Sequence, residues 1–351
     1  MQEVRVAIDV SHLGKDHRGM GFFLRNFFSH LSEWMDPSFQ ILGVSNKKIS
    51  NENLPFKIVS PKELDPSWLV WFPFNHPTFE PPGSFVVTIH DLAPFVFPVG
   101  ESKLRKKFRW GARHAKKIVV DSEFIFREVQ KYLRVPASRI ALIPPGFDAS
   151  WPKQESFEPP WPYLLAVGPA EPRKNFVQLL YAFYRLKIER HIHKLVILGE
   201  LPPWRKKMGP FLFEKENPIS EVARKIGVGH DVILPGPVSR TILERWYRGA
   251  SLVVVPSLYE GFGFPVLEAY SCGAPLACSR AASLPEVAGD GAFYFNPRDP
   301  KDMAAVLEHA LTDEEAVAQK KEYAARQLSL FSPEKCVKGY LALFRSIASE
   351  S

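Results

Sequence analysis

The stretch SLVVVPSLYEGFGFPVLE, Ser251 to Glu268, joins a valine-rich run to a glycine turn and then to a helix start. The run is continuously apolar rather than alternating, which marks a strand buried on both faces, as in parallel sheets. Gly261 and Gly263 permit a tight turn and close approach of backbone to a ligand. Pro265 suits the first helical turn, where its missing N–H is no loss. A buried strand, a glycine turn and a helix in that order make half of a βαβ unit. The turn then sits at the carboxyl edge of the sheet, where ligands of such folds bind.

The same grammar recurs along the chain. VRVAIDV, FQILGVS, LVWFPF, FVVTIHD, KIVVDS and IALIPPG read as strands before residue 150, with amphipathic segments such as MGFFLRNFFSHLSEW and EFIFREVQKYL between them. DASWPKQESFEPPWP, residues 148–162, is rich in proline and polar residues, lacks a period and reads as a linker. Beyond it YLLAVG, KLVILG, DVILPG, SLVVVPS, PLACS and AFYFNP alternate with helical segments. Strand–helix alternation argues a parallel sheet covered on both faces. The fold class is therefore α/β, with two doubly wound, Rossmann-like domains, residues 1–150 and 151–332, expected to face each other across a cleft. The length of 351 residues agrees, because single cores stop growing near about 250–300 residues.

The bulk properties exclude several classes. The 46% hydrophobic content is that of a soluble globular chain. No run of about 18 apolar residues would span a bilayer. The opening MQEVRVAIDV reads as a strand and not as a signal peptide, so a cytoplasmic location is expected. Cys272, Cys278 and Cys336 show no metal spacing and read as small core residues. The formal net charge is +7, yet KLRKKFRWGARHAKK, Lys103 to Lys117, holds eight Lys and Arg and no acid. The remainder of the chain thus sums to −1, and the basicity is a local patch that implies a local partner. A solvated helix and a helix docking on an anionic membrane surface both fit it, with Phe108 and Trp110 as an apolar foothold in the second case. No nucleic-acid motif accompanies the patch, and nucleic acid is not expected as a partner.

Several residues stand where chemistry would be placed. The start of the helix after Gly263 favours an anion such as phosphate. Glu260 and Glu268 flank that point, eight residues apart, and carboxylates beside an anion site suit hydroxyl groups. A ligand with hydroxyls, a diphosphate and hydroxyls again has the layout of a nucleotide sugar. Alternatively Glu260 caps the helix and Glu268 is a solvated helical residue; these residues alone leave both readings open. AVGPAEPRKN, Ala166 to Asn175, places Arg173 and Lys174 at another strand's carboxyl edge, and two cations converging on one point suit a diphosphate. In the first half, TIHDLAP puts His90 and Asp91 at a strand end, and HRGMGFF puts Gly19 and Gly21 between a strand and a helix. No Asp-x-Asp stands at a strand end, so neither a metal ion nor a cofactor is expected.

These elements together resemble the retaining glycosyltransferases of family 4, which have the two-domain GT-B fold. The resemblance covers nearly the whole chain and is most specific in the E-x7-E pair, Glu260 and Glu268. VILPGPVSRTILERWYRGASLVVVPS and EAYSCGAPLACSRAASLPEVAGDGAFYFNP fit the family's second domain in order and spacing, and TIHDLAP, VDSEF, IPPGFD and EPRKN look like family elements. The resemblance implies that Glu260 meets the donor sugar, with backbone N–H groups of Gly261, Phe262, Gly263 and Phe264 around it. It implies that Glu268 holds the ribose hydroxyls, that Arg173 and Lys174 stabilise the leaving diphosphate, and that His90 lies near the transferring sugar. The Gly19–Gly21 loop would close over the diphosphate and Val238 would lie near the base. A C-terminal helix, about residues 333–351, would pack back on the first domain. Many members carry an arginine directly after the glycine that ends the first strand of the second domain; here that position is Pro169, and Arg173 is inferred to supply the guanidinium.

The EPRKN and EGFGFP forms are similar to mannosyltransferases of polysaccharide and lipopolysaccharide assembly. That likeness implies a hexose moved from a nucleotide sugar, GDP-mannose foremost and UDP-sugars as the alternative, to a glycan or lipid-linked acceptor. A catalytically silent nucleotide-sugar-binding protein is the alternative of a different class. A protein of this kind would work in the cytoplasm or at the inner face of the membrane.

Overall fold

The computed structural model describes residues 3–13, 19–47, 54–97, 102–149, 156–189, 191–200 and 218–350. The chain divides into two compact units, Met1–Asp148 with Phe331–Ser351, and Ala149–Leu330. Residues 150–155 of the proline-rich linker lie outside the described residues.

The first unit alternates β1 (Val4–Asp9), α1 (Gly19–Trp34), β2 (Phe39–Val44), β3 (Ile58–Val59), β4 (Leu69–Phe72), β5 (Phe85–Ile89), α2 (Ala93–Val96), α3 (Ser102–His114), β6 (Lys117–Val120), α4 (Glu123–Leu133) and β7 (Ile140–Leu142). The seven strands are all parallel in the order β3-β2-β1-β4-β5-β6-β7. β4 and β5 are buried at every residue, the signature of strands covered on both faces. Helix boundaries follow local chemistry. Ser122 caps α4 by accepting from the Ile125 N–H at 3.2 Å, and Arg134 closes it in the left-handed region.

The second unit runs β8 (Tyr163–Val167), α5 (Phe176–Ile188), β9 (Lys194–Leu198), α6 (Pro218–Lys225), β10 (Val232–Gly236), α7 (Arg240–Gly249), β11 (Leu252–Val255), α8 (Phe264–Ser271), β12 (Leu276–Ser279), α9 (Leu284–Ala288), β13 (Phe293–Phe295), α10 (Pro300–Thr312) and α11 (Glu314–Leu328). Its six strands are also parallel, in the order β10-β9-β8-β11-β12-β13. The core lies between this sheet, α5 and α10, around Phe183, Ile197, Val254 and Leu307.

The last helix, α12 (Pro333–Ser349), returns to the first unit. Tyr340 packs on Trp71 with ring centroids 4.4 Å apart, and its hydroxyl meets Thr88 Oγ1 at 2.9 Å. Each such aromatic pair adds about 0.5–1.5 kcal/mol beyond the area it buries. Gly146 permits the approach: a Cβ there would lie 2.6 Å from the Pro333 Cα.

Two local expectations change. Gly19 and Gly21 belong to the first turn of α1, not to a preceding loop. The basic segment is helical to His114, and Lys117 opens β6, the strand read at KIVVDS. Phe108 is buried against Phe95 and His76, because that face of α3 turns inward, so it offers no foothold to a partner. Trp110 is 38% exposed and stacks on Phe85.

Candidate active site

In the second sheet the strand order reverses between β8 and β11, which are neighbours although α5, β9, α6, β10 and α7 separate them in the chain. The turns leaving these two strands therefore emerge side by side. The turn after β8 carries Arg173 and Lys174, and the turn after β11 carries Glu260. Lys174 Nζ donates to Glu260 Oε1 at 2.5 Å and Arg173 Nη1 donates to Oε2 at 3.1 Å. Arg173 also donates through Nε to Glu171 at 2.7 Å. Both Lys174 and Glu260 are buried.

The backbone makes room for this pair. Gly168, with φ +141°, lies under the lysine, and a Cβ there would come 3.0 Å from Lys174 Cε. Asn175 adopts φ 61° and donates from Nδ2 to the carbonyls of Pro256, at 3.0 Å, and Pro297, at 2.7 Å. Asparagine tolerates this left-handed geometry better than most residues. Ser257 Oγ donates to Glu260 Oε1 at 2.6 Å, and Ser283 Oγ donates to the carbonyls of Glu260 and Phe262. Burial alone would push the Glu260 carboxyl up. Lys174 and Arg173, with the hydrogen bonds from Lys174 and Ser257, outweigh it and hold the carboxyl below its ordinary value.

Glu260 does not cap α8. That position is Gly263, at φ +113°, which contributes no side-chain cap. Pro265 stands in the first turn, as the sequence indicated, and Phe262 is buried with its ring 5.4 Å from that of Phe264. Glu268 is half-buried on α8 and accepts from Tyr247 Oη at 2.7 Å. Burial raises its carboxyl above the ordinary value, against the pull of Tyr247, Arg240 and Lys174. Gly261 lies in the turn, and Val238 is half-buried in the turn between β10 and α7, on the same edge of the sheet.

In the first unit His90 follows β5 and is buried. Its Nδ1 lies 2.6 Å from Asp121 Oδ2, and its Nε2 lies 2.8 Å from the Pro73 carbonyl. Both ring nitrogens are committed to acceptors. Burial disfavours the imidazolium, but Asp121 and the Pro73 carbonyl overcome it and raise the basicity of the ring. Asp91 accepts from the Ala93 N–H at 3.0 Å, a turn role at the start of α2. The structure thus brings Arg173, Lys174 and Glu260 into one cluster, with Glu268 one turn of helix beyond. His90, Gly19 and Gly21 belong to the other unit.

Sequence reasoning missed Tyr247, Ser257, Ser283 and Asp121 as partners of these groups, and Asn175 as the residue that pins the PRKN turn. Only Asp121 carried a signal, as the polar residue ending a buried strand beside the one that ends at His90. Among the described residues no group of three His, Cys, Asp or Glu is arranged to hold a metal ion, and no helix is long and apolar enough to cross a membrane.

The family described as glycosyl transferases group 1 matches residues 148–327, half of the chain, and the family described as glycosyltransferase family 4 matches residues 67–151. The chain is a group 1 glycosyltransferase. This glycosyltransferase is 29% identical over 340 residues to the O-antigen chain mannosyltransferase B of Escherichia coli, covering 88% of the chain and 87% of the relative. It is 29% identical over 287 residues to the serotype-specific mannosyltransferase WbdA of Escherichia coli, covering 76% of the chain but only 34% of that longer protein. Its fold is similar to the Anabaena Alr3699/HepE structure solved in complex with UDP-glucose, with a TM-score of 0.73, 15% identity and coverage of 97% and 99% of the two chains. The two parallel-sheet units make the glycosyltransferase a member of the GT-B fold class.

Proposed function

We propose that this glycosyltransferase transfers mannose from GDP-mannose to a glycan or lipid-linked acceptor, retaining the anomeric configuration and using no metal ion. The observation that carries the reading is the buried cluster of Lys174, Arg173 and Glu260 at the carboxyl edge of β8 and β11, beside the start of α8. The names of the full-length and partial relatives support mannose, and O-antigen assembly supports a lipid-linked acceptor.

The roles follow from charge and reach. Lys174 has three N–H donors and gives one to Glu260; Arg173 has five in a rigid fork. The positive charge of the pair suits a diphosphate, and the first turn of α8 adds its dipole. Glu260, ionised and fixed by Ser257 and the two cations, accepts from sugar hydroxyls, with the backbone of Gly261, Phe262, Gly263 and Phe264 around it. Glu268 accepts from the ribose, and Val238 borders the base.

In the transfer, the bond between the anomeric carbon and the diphosphate oxygen breaks, and its electron pair leaves with the nucleoside diphosphate. The acceptor oxygen bonds to the anomeric carbon on the same face. Its proton passes to a phosphate oxygen of the leaving group. Lys174 and Arg173 stabilise the charge that develops there, which is the preorganised form of electrostatic catalysis.

The deciding experiment offers GDP-mannose, UDP-glucose and UDP-N-acetylglucosamine with a lipid-linked glycan acceptor, with and without EDTA. Proton NMR follows the anomer of the product. Consumption of GDP-mannose, insensitivity to EDTA and retention are expected. Consumption of a UDP-sugar alone would move the donor assignment. Binding with no transfer and no donor hydrolysis would mark a silent binding protein.

A further inference from the structure

Glu268 lies on α8, and Tyr247 reaches it from α7. The Tyr247 side chain is wholly buried, and its hydroxyl donates to Oε2 of Glu268 at 2.7 Å. Among the described residues, no hydrogen bond ends on Oε1 of Glu268. A glutamate has three rotatable side-chain bonds, and fixing such a side chain costs rotamer entropy when a ligand has to do it. A buried hydroxyl that already holds one oxygen removes much of that cost before the ligand arrives.

The donor cannot switch role. Burial, then Glu268 itself, pushes ionisation of Tyr247 far above its ordinary range, so the phenol keeps its proton throughout the pH range in which enzymes work. The phenol ring is held by the core, and its oxygen meets only one side of the carboxylate.

We propose that Tyr247 is a positioning residue for donor recognition: by holding Oε2 of Glu268 it leaves Oε1 presented to the ribose hydroxyls. The inference rests on the reading of Glu268 as the ribose-binding carboxylate. It assigns to a buried tyrosine, two turns along a different helix from its target, part of the selectivity for a ribonucleotide.

The test separates this role from packing and from the role of Glu268. GDP and UDP are each compared with the 2′,3′-dideoxy counterpart by calorimetric titration, in the wild type, Tyr247→Phe, Glu268→Gln and the double variant. Tyr247→Phe keeps the ring and removes one oxygen, and its thermal midpoint is measured alongside. The expected result is about tenfold or more weaker binding of the ribonucleotide in Tyr247→Phe, as for loss of a hydrogen bond to a charged group, with little change for the dideoxy compound. In the Glu268→Gln background the tyrosine substitution should add little. Equal weakening of both nucleotides by Tyr247→Phe, or no weakening of either, while Glu268→Gln loses its preference for the ribonucleotide, overturns the proposal and spares the reading of Glu268. Loss of selectivity in neither variant overturns both.

Discussion

Lys174 Nζ lies 2.5 Å from Oε1 of Glu260, and both side chains are buried although 86 residues separate them in the chain. Removing one member of a buried pair leaves an uncompensated charge and costs about 3–5 kcal/mol, whereas replacing both by apolar groups is often near neutral. Lys174→Met should therefore destabilise the protein by about 3 kcal/mol in urea unfolding, the low end of that range, because Arg173 stays on Oε2. The double variant Lys174→Met, Glu260→Leu should recover part of the loss while remaining inactive. A single variant as stable as the wild type contradicts the pairing, and Mg²⁺ should not restore its turnover.

The two carboxylates should shape stability with opposite signs against pH. Glu260 has a folded pKa below its ordinary value of 4.5, so its contribution is present above that value and is lost as pH falls through the lowered folded pKa. Glu268 has a raised folded pKa, so its contribution is present below 4.5 and is lost as pH rises through the folded value. Glu260→Gln should lower the thermal midpoint at about pH 8, with the deficit narrowing in acid. Glu268→Gln, which keeps an acceptor for Tyr247, should raise the midpoint at about pH 8 and lose that gain in acid. Scans of both variants across pH check the signs, and parallel curves would contradict them.

Ligand binding should divide the same pair differently. Glu268→Ala should weaken both the nucleotide sugar and the free nucleoside diphosphate, by roughly 1.5–3 kcal/mol for one charged hydrogen-bond partner. Glu260→Ala should lower turnover yet leave the free diphosphate bound as well or better, since Lys174 and Arg173 lose their intramolecular acceptor. Titration of the two variants with diphosphate alone decides; equal losses in both would sink the assignment of roles.

The basic helix α3 should bind anionic vesicles. Lys103, Lys106, Lys107, Arg109 and Arg113 are exposed along it, and each cation near such a surface is worth about 1 kcal/mol, screened within a Debye length. Sedimentation with phosphatidylglycerol vesicles should weaken steeply with salt and fall when Arg105, Lys106 and Lys107 become Ser. That triple variant should keep its donor affinity, because Arg173, Lys174, Glu260 and Glu268 belong to the other unit. Salt-independent sedimentation with neutral vesicles would point to a different surface.

Much of the fold was legible because its signals are short-range. Continuous apolar runs marked the buried strands, and glycine, proline and serine marked the turns and caps between them. The strand at Leu252–Val255, the turn through Gly263 and the helix from Phe264 stand where local chemistry placed them. The short strand Ile58–Val59 and the short helices at Ala93–Val96 and Leu284–Ala288 escaped notice, being too brief to carry a period.

By itself the sequence determined two parallel α/β halves, a carboxylate pair set around a glycine turn, and an Arg-Lys pair at another strand end. Which groups meet was decided only by the tertiary structure. Glu260 meets Lys174 because β11 lies beside β8, His90 meets Asp121 because β6 lies beside β5, and Glu268 meets Tyr247 because α7 packs on α8. Phe108 turned inward for the same kind of reason: the buried face of α3 is set by Phe95 and His76, which pack against it. Periodicity follows from the contacts of a residue with its chain neighbours. Strand order and helix facing follow from how whole elements share a core, and no local pattern encodes that.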